Sequence, residues 1–148
     1  MLRKLVSSLG ALVVLGTGVA LAQQFGTAAE AKAMLDKAVA AVKADKAKAL
    51  AAFTTGSDGF KDRDLYPFCA NVSDGLFSAH PTLTGKSLKD LKDKDGKVLG
   101  VAILSSAQEG KVSEVEYKWT RPGSDQPVAK VSFVTKIGDQ VCAVGYYK

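Results

Sequence analysis

The chain has 148 residues and a formal net charge of +5, with 47% hydrophobic and 24% charged side chains. That length fits one folded domain with one core. The positive charge is weak and interleaved with acids, as in Lys86-Ser-Leu-Lys-Asp-Leu-Lys-Asp-Lys-Asp95, without the intervening aromatics of a nucleic-acid surface, so binding to nucleic acid is excluded.

Met1–Ala22 has the three parts of a cleavable secretory signal peptide. Arg3 and Lys4 supply the charge, Leu5 to Ala20 the uncharged apolar stretch, and Ala20-Leu21-Ala22 the small-x-small cleavage site. The alternative is a retained membrane anchor, since the stretch approaches the roughly 20 residues that span a bilayer. Serines, glycines and the polar Gln23-Gln24 directly after the triplet favour cleavage. The expected product is a periplasmic or secreted domain of residues 23–148 with a charge of +3, and no membrane span once the signal is cleaved. Cys69 and Cys142 would then sit in an oxidising compartment, where two cysteines allow one intramolecular bridge. The bridge is the favoured reading, against two small buried hydrophobes.

From Thr27 to about Phe53, Ala31, Met34, Leu35, Ala38, Val39 and Val42 recur at helical steps, while Lys32, Asp36 and Lys43 point elsewhere. Thr27 with Glu30 three residues on predicts a capping box. Asp45 is placed to interrupt the helix and cap a second one carrying Ala47, Leu50 and Ala51. Thr54–Asp64 reads as a loop, and Leu65–Val72 as a strand with Tyr66 and Phe68 on one face and Cys69 on the other. Ser73-Asp74-Gly75 predicts a turn and Leu76–Ala79 a short return strand. His80–Lys97 is polar, with a helical turn expected around Ser87–Lys92. Val98–Gln108 fits helix or strand equally.

Three strands close the chain. In Lys111–Arg121, Val115, Tyr117 and Trp119 share one face, opposite Glu114, Glu116 and Lys118. In Val128–Ile137, Ala129, Val131, Phe133 and Ile137 share a face opposite Lys130 and Ser132; Val141–Tyr147 follows the Gly138-Asp139 turn. A long N-terminal helix followed by two strands, a mixed segment and three strands is an α+β plan with a mainly antiparallel sheet.

The tests for catalysis fail. A single histidine argues against a zinc centre, which asks for three protein ligands, and no CxxC or CxxCH is present. The nucleophile elbow GxSxG is missing, and His80-Pro-Thr-Leu-Thr-Gly85-Lys86-Ser87 lacks the first glycine of a phosphate loop. Asp93-Lys-Asp95-Gly96 would need an acid at Leu91 and Glu at Ala102 to be a calcium loop, so it reads as a solvated turn. Asn71-Val72-Ser73 is a glycosylation acceptor only in a eukaryotic host. No enzyme, metal or cofactor is expected. His80 is more often a structural hydrogen-bonder than a functional group in such a setting. Tyr117 and Trp119 fit core or site equally. Lys130, in an otherwise apolar strand, either snorkels to solvent or presents a cation to a bound anion.

The ordered set Tyr66-Pro-Phe-Cys-Ala-Asn71, Asp74-Gly75, Ala79-His80-Pro81, Gly85-Lys86-Ser-Leu-Lys-Asp-Leu-Lys-Asp and Asp95-Gly96-Lys97 resembles the Cache family of extracytoplasmic sensor domains in its single-domain form. Glu116-Tyr117-Lys-Trp119-Thr-Arg-Pro122, Lys130-Val-Ser-Phe133 and Gly145-Tyr-Tyr147 continue it in the same order. The resemblance implies a long N-terminal helix packed on a PAS-like five-stranded antiparallel sheet with neighbouring first and last strands, which would bring Cys69 beside Cys142. It also implies a pocket for a small metabolite, a carboxylate or amino acid, between the sheet and its shorter helical and loop layer. Carried over by position, Tyr117, Trp119 and Lys130 would line it, with Phe68, His80 and Arg121 as weaker candidates. The expectation is therefore an exported ligand-binding domain without an output domain of its own. The alternative is a ligand-independent accessory protein docking on a membrane receptor.

Overall fold

The computed structural model describes residues 24–148, so the expected signal peptide and its alternative as an anchor, Met1–Ala22, lie outside the described residues. Helix α1 (Ala28–Ala44) starts with the expected capping box. Thr27 Oγ1 accepts from the Glu30 amide at 3.2 Å, and the Glu30 carboxylate accepts from the Thr27 amide at 2.8 Å. The reciprocal bonds satisfy two amides that have no partner within the helix. Ala31, Met34, Leu35, Ala38 and Val42 are buried along one stripe.

Asp45 is extended (φ −156°), ends α1 and accepts from the Lys48 amide at 3.1 Å to begin α2 (Lys46–Thr55). The buried face of α2 is Ala49, Ala52 and Phe53; Ala47 and Ala51 are exposed and Leu50 half-buried, which corrects the expected face. The break at Asp45 restarts the helical phase, so the face cannot be extrapolated from α1. α2 also runs to Thr55, two residues past the expected end, and stops where Gly56 takes φ 72°.

Five strands follow: β1 (Pro67–Asn71), β2 (Phe77–Ala79), β3 (Ser113–Thr120), β4 (Pro127–Ile137) and β5 (Gln140–Tyr147). They form one antiparallel sheet in the order β2-β1-β5-β4-β3, so the first and last strands are neighbours. Cys69 pairs with Cys142 in register, and the two form a disulfide with Cα atoms 4.1 Å apart. Both sulfurs lie on the sheet face covered by α1 and α2, with Leu65, Phe133 and Val144.

The opposite face packs against a second layer. Val98–Gln108 resolves as a helix, α3 (Leu99–Ser106), whose Leu99 and Ile103 are buried against Phe68, Phe77, Val115 and Tyr117. The helical turn expected around Ser87–Lys92 does not form. That stretch is held instead by single bridges, Leu76 to Ser87 and Lys92 to Val98. A Cβ at Gly100 would overlap the Leu88 carbonyl oxygen, so only glycine lets this segment lie directly on α3. No helix among the described residues is long and apolar enough to cross a membrane.

Candidate functional site

Sheet register builds the site in two rows. Tyr117, Lys130 and Tyr147 are paired across β3, β4 and β5, and Val115, Ser132 and Gly145 form the next row. A side chain at Gly145 would overlap Lys130 Cε and approach Ser132 Oγ to 2.6 Å. The bare glycine is thus the channel through which the lysine stem crosses β5. The Lys130 ammonium ends 3.1 Å from the Tyr66 hydroxyl, to which it donates. It lies 4.4 Å from the Tyr66 ring centre, 4.8 Å from that of Tyr147 and 6.0 Å from that of Phe68, within reach of cation–π attraction.

Lys130 is 1% exposed, so it does not snorkel to solvent. No carboxylate lies within ion-pair distance of it among the described residues. Burial works against its charge, but the phenols of Tyr117, Tyr66 and Tyr147 and the Tyr66 hydrogen bond outweigh this and hold its pKa above the usual lysine range. Burial also raises the pKa of Tyr117 and Tyr147, keeping both phenols protonated. The Tyr117 hydroxyl is bonded to Ser132 Oγ at 2.8 Å, and the Tyr147 hydroxyl donates to the Thr120 carbonyl at 2.7 Å. The site is therefore a buried cation met by hydroxyls and ring faces rather than by an anion.

His80 follows β2 and is 6% exposed. Its Nδ1 accepts from the amides of Thr82 at 3.0 Å and Leu83 at 3.1 Å, which fixes the hydrogen on Nε2. Burial, then the Lys130 charge, lower its pKa to about 4, so the ring is neutral at physiological pH. Nε2 has no hydrogen-bond partner among the described residues. His80 is thus both the expected structural hydrogen-bonder and part of the site wall, stacked edge-on with Tyr66 and Phe77 at centroid distances of 5.5 Å and 5.1 Å.

Two cavities meet here. The inner one, about 10 Å³, lies between the sheet and the α3 layer and brings Phe68, His80, Tyr117, Trp119 and Lys130 together with Tyr66, Phe77 and Leu88. The outer groove, about 500 Å³, runs between the end of α2, Pro81-Thr82 and the Thr120–Ser124 segment. Tyr66, His80 and Trp119 line both.

Five of the six residues expected to line a pocket thus surround the inner cavity. Arg121 does not: it lies in the outer groove, 3.3 Å from the Asp64 carboxylate, with its guanidinium 4.2 Å from the Phe25 ring centre and 5.0 Å from that of Tyr147. Tyr66 and Tyr147 were missed. Tyr66 shares the Phe68 face at a step of two, a readable signal, whereas Tyr147 meets Lys130 only through strand pairing.

The Asp93-Lys-Asp95-Gly96 turn is not simply solvated. Asp93 is 8% exposed; its Oδ1 accepts from the Asp95 and Lys97 amides and its Oδ2 from the Lys118 amide at 3.3 Å. Burial works against its charge, but these three backbone bonds prevail and lower its pKa. Lys97 donates to the Glu116 carbonyl at 2.9 Å. Both contacts cap backbone groups of β3, an edge strand, and protect it from pairing with another chain. No group of three or more potential metal ligands is found among the described residues.

Known proteins share this fold. The family model for Single Cache domain 2 matches residues 16–145. Methyl-accepting chemotaxis protein McpP of Pseudomonas putida is 30% identical over 59 residues, 40% of this chain but 11% of that receptor. Among solved structures, a methyl-accepting chemotaxis protein from Vibrio parahaemolyticus superposes with a TM-score of 0.65 and 25% identity, over 80% of this chain and 86% of that one. A periplasmic sensor domain of a chemotaxis protein gives 0.59 and 26%, over 80% and 88%. A Cache chemosensory domain studied for carboxylic acid recognition gives 0.57 and 22%, over 80% and 86%, a likeness of fold. The sheet order, the long capped N-terminal helix and a family match over most of the sequence lead to one assignment: this chain belongs to the Single Cache domain 2 family.

Proposed function

We propose that this domain is an extracytoplasmic sensor module that recognises a small organic acid through Lys130. The observation that carries the reading is a fully buried ammonium with, among the described residues, one hydrogen bond and no carboxylate partner, at the wall of a cavity between sheet and α3 layer. Burying such a charge is costly, and an anion with matching hydrogen bonds offsets that cost. Lys130 has two further N–H groups to offer, and the His80 Nε2–H is a third donor in the same lining. Leu88, Leu99 and Ile103 supply an apolar wall for a short carbon chain.

A carboxylic acid fits better than an amino acid. Among the described residues the lining holds no Asp or Glu to receive an α-ammonium group, which Lys130 would repel. The extracytoplasmic location is supported by the Cys69–Cys142 disulfide and by likeness to a periplasmic sensor domain.

The test is a thermal-shift screen of the purified protein against small mono- and dicarboxylates and amino acids at millimolar concentration. At least one monocarboxylate is expected to raise the melting temperature, because a ligand that binds only the folded chain stabilises it. No shift with any acid would overturn the reading. It would return the domain to the alternative of a ligand-independent partner of a receptor.

A further inference from the structure

The inner cavity, at about 10 Å³, holds one water at most, so even the smallest carboxylic acid reaches Lys130 only if a wall moves. The outer groove is some fifty times larger, at about 500 Å³, and is separated from Lys130 by three shared rings, those of Tyr66, His80 and Trp119. Two of these are pinned. His80 is held by the Thr82 and Leu83 amides on its ring and by Thr84 Oγ1 on its backbone. Tyr66 is held by Lys130. Trp119 is different: its indole N–H has no partner among the described residues, it is half-buried, and its one ring contact is edge-on to Tyr117 at 6.4 Å. It stands next to the last residue of β3, an edge strand, just before the Arg121–Gln126 connection.

We propose that the outer groove is the vestibule through which an organic anion reaches Lys130, and that the Trp119 indole is its gate. Among the described residues the groove carries two cations, Lys61 and Arg121, and no acidic side chain. Arg121 is neutralised by Asp64, whereas Lys61 has no ion-pair or hydrogen-bond partner among the described residues. Lys61 therefore supplies the field that raises the local concentration of anions at the mouth. The biological meaning of the gate rests on the reading of Lys130 as the anion's anchor.

A reporter thiol tests the route without any ligand. Ile103 is 1% exposed and lines the inner cavity but not the outer groove, so Ile103→Cys places a thiol on the inner side of the shared rings while the native disulfide stays closed. Its reaction with methyl methanethiosulfonate, followed by mass spectrometry, reports opening. Trp119→Ala is expected to speed it by about tenfold or more, while Leu91→Ala, in the loop-side wall, leaves the rate unchanged. A larger effect from Leu91→Ala, or none from Trp119→Ala, overturns the proposal. Should the Ile103→Cys variants fail to fold, the single tryptophan of the wild-type chain decides. Iodide is expected to quench its fluorescence more than caesium, with Lys61→Glu reversing the order, and equal quenching in both proteins overturns the vestibule. A failed thermal-shift screen would remove the ligand reading and leave these results standing; a failed labelling experiment would remove the gate and leave the ligand reading.

Discussion

The Lys130 ammonium donates to the Tyr66 hydroxyl at 3.1 Å while lying 4.4 Å from the centre of the same ring. One aromatic side chain thus supplies both the only hydrogen bond and the closest π face to a buried cation among the described residues, and the two residues are 64 positions apart in the chain. Among the described residues no carboxylate lies within ion-pair distance of this cation, which is held by a hydroxyl and by ring faces instead.

One substitution separates stability from binding. Lys130→Met keeps a stem of similar length but removes the ammonium together with the Tyr66 hydrogen bond and the ring faces that favour its charge. Lys130→Met is expected to lower the melting temperature of the protein, by the equivalent of about 1 kcal/mol, and to abolish the shift caused by carboxylic acids. Differential scanning fluorimetry with and without acid checks both. An acid-induced shift of wild-type size in the variant would remove Lys130 from the site.

Gly145→Ala closes the channel that the lysine stem uses. The added methyl overlaps Lys130 Cε and crowds Ser132 Oγ, which is itself bonded to Tyr117. Overpacking of this kind costs about 1–3 kcal/mol. Chemical denaturation is expected to show that loss, and acid binding by calorimetry is expected to weaken at least about tenfold, each tenfold step being 1.4 kcal/mol. Unchanged binding would mean that the ammonium need not cross β5 to act.

His80 makes stability pH-dependent in a stated direction. Its pKa falls from the ordinary 6.5 to about 4 in the folded protein. Between those values the unfolded chain binds more protons than the native one, so stability declines as pH drops below 6.5 and the loss is complete below 4. Between pH 6.5 and 5 the decline amounts to about 1–2 kcal/mol, in a range above the ordinary carboxylate pKa values. Denaturation curves at the two pH values measure it. His80→Asn is expected to flatten the difference, and an equal pH slope in the variant would assign the effect elsewhere.

The disulfide closes a loop of 73 residues between β1 and β5. On chain-entropy grounds such a cross-link stabilises by about 4 kcal/mol. The double variant Cys69→Ala/Cys142→Ala is expected to lose stability on that order while keeping the far-ultraviolet circular dichroism of the fold at low temperature. A loss below about 1 kcal/mol would show that sheet pairing alone defines the β1–β5 register.

Much of the frame was legible in the residues. The α1 stripe from Ala31 to Val42, the Thr27–Glu30 box, the break at Asp45 and the alternation of Val115, Tyr117 and Trp119 each depend on neighbours within a few positions, and each is found as expected. The resemblance to Cache domains supplied what local periodicity cannot, the adjacency of the first and last strands that joins Cys69 to Cys142. Where two states have the same local pattern, as in Val98–Gln108, packing against Phe68 and Tyr117 selected the helix. The buried face of α2 escaped because a break in the helix discards the phase of what precedes it.

By itself, the sequence determined α1 with its cap and buried stripe, the order of the strands along the chain, and that one strand carries a lysine where a hydrophobe is expected. Only the tertiary structure decided what that lysine meets. Tyr66 comes from just before β1, Tyr147 from the end of β5 and the open space at Gly145 from two residues earlier in β5, while Arg121 was drawn away to Asp64 and Phe25. The physical reason is range. Helical and strand periodicity is set by steric rules between near neighbours, whereas the surroundings of a buried charge are set by register among strands tens of residues apart, where one missing side chain opens the path the charge takes.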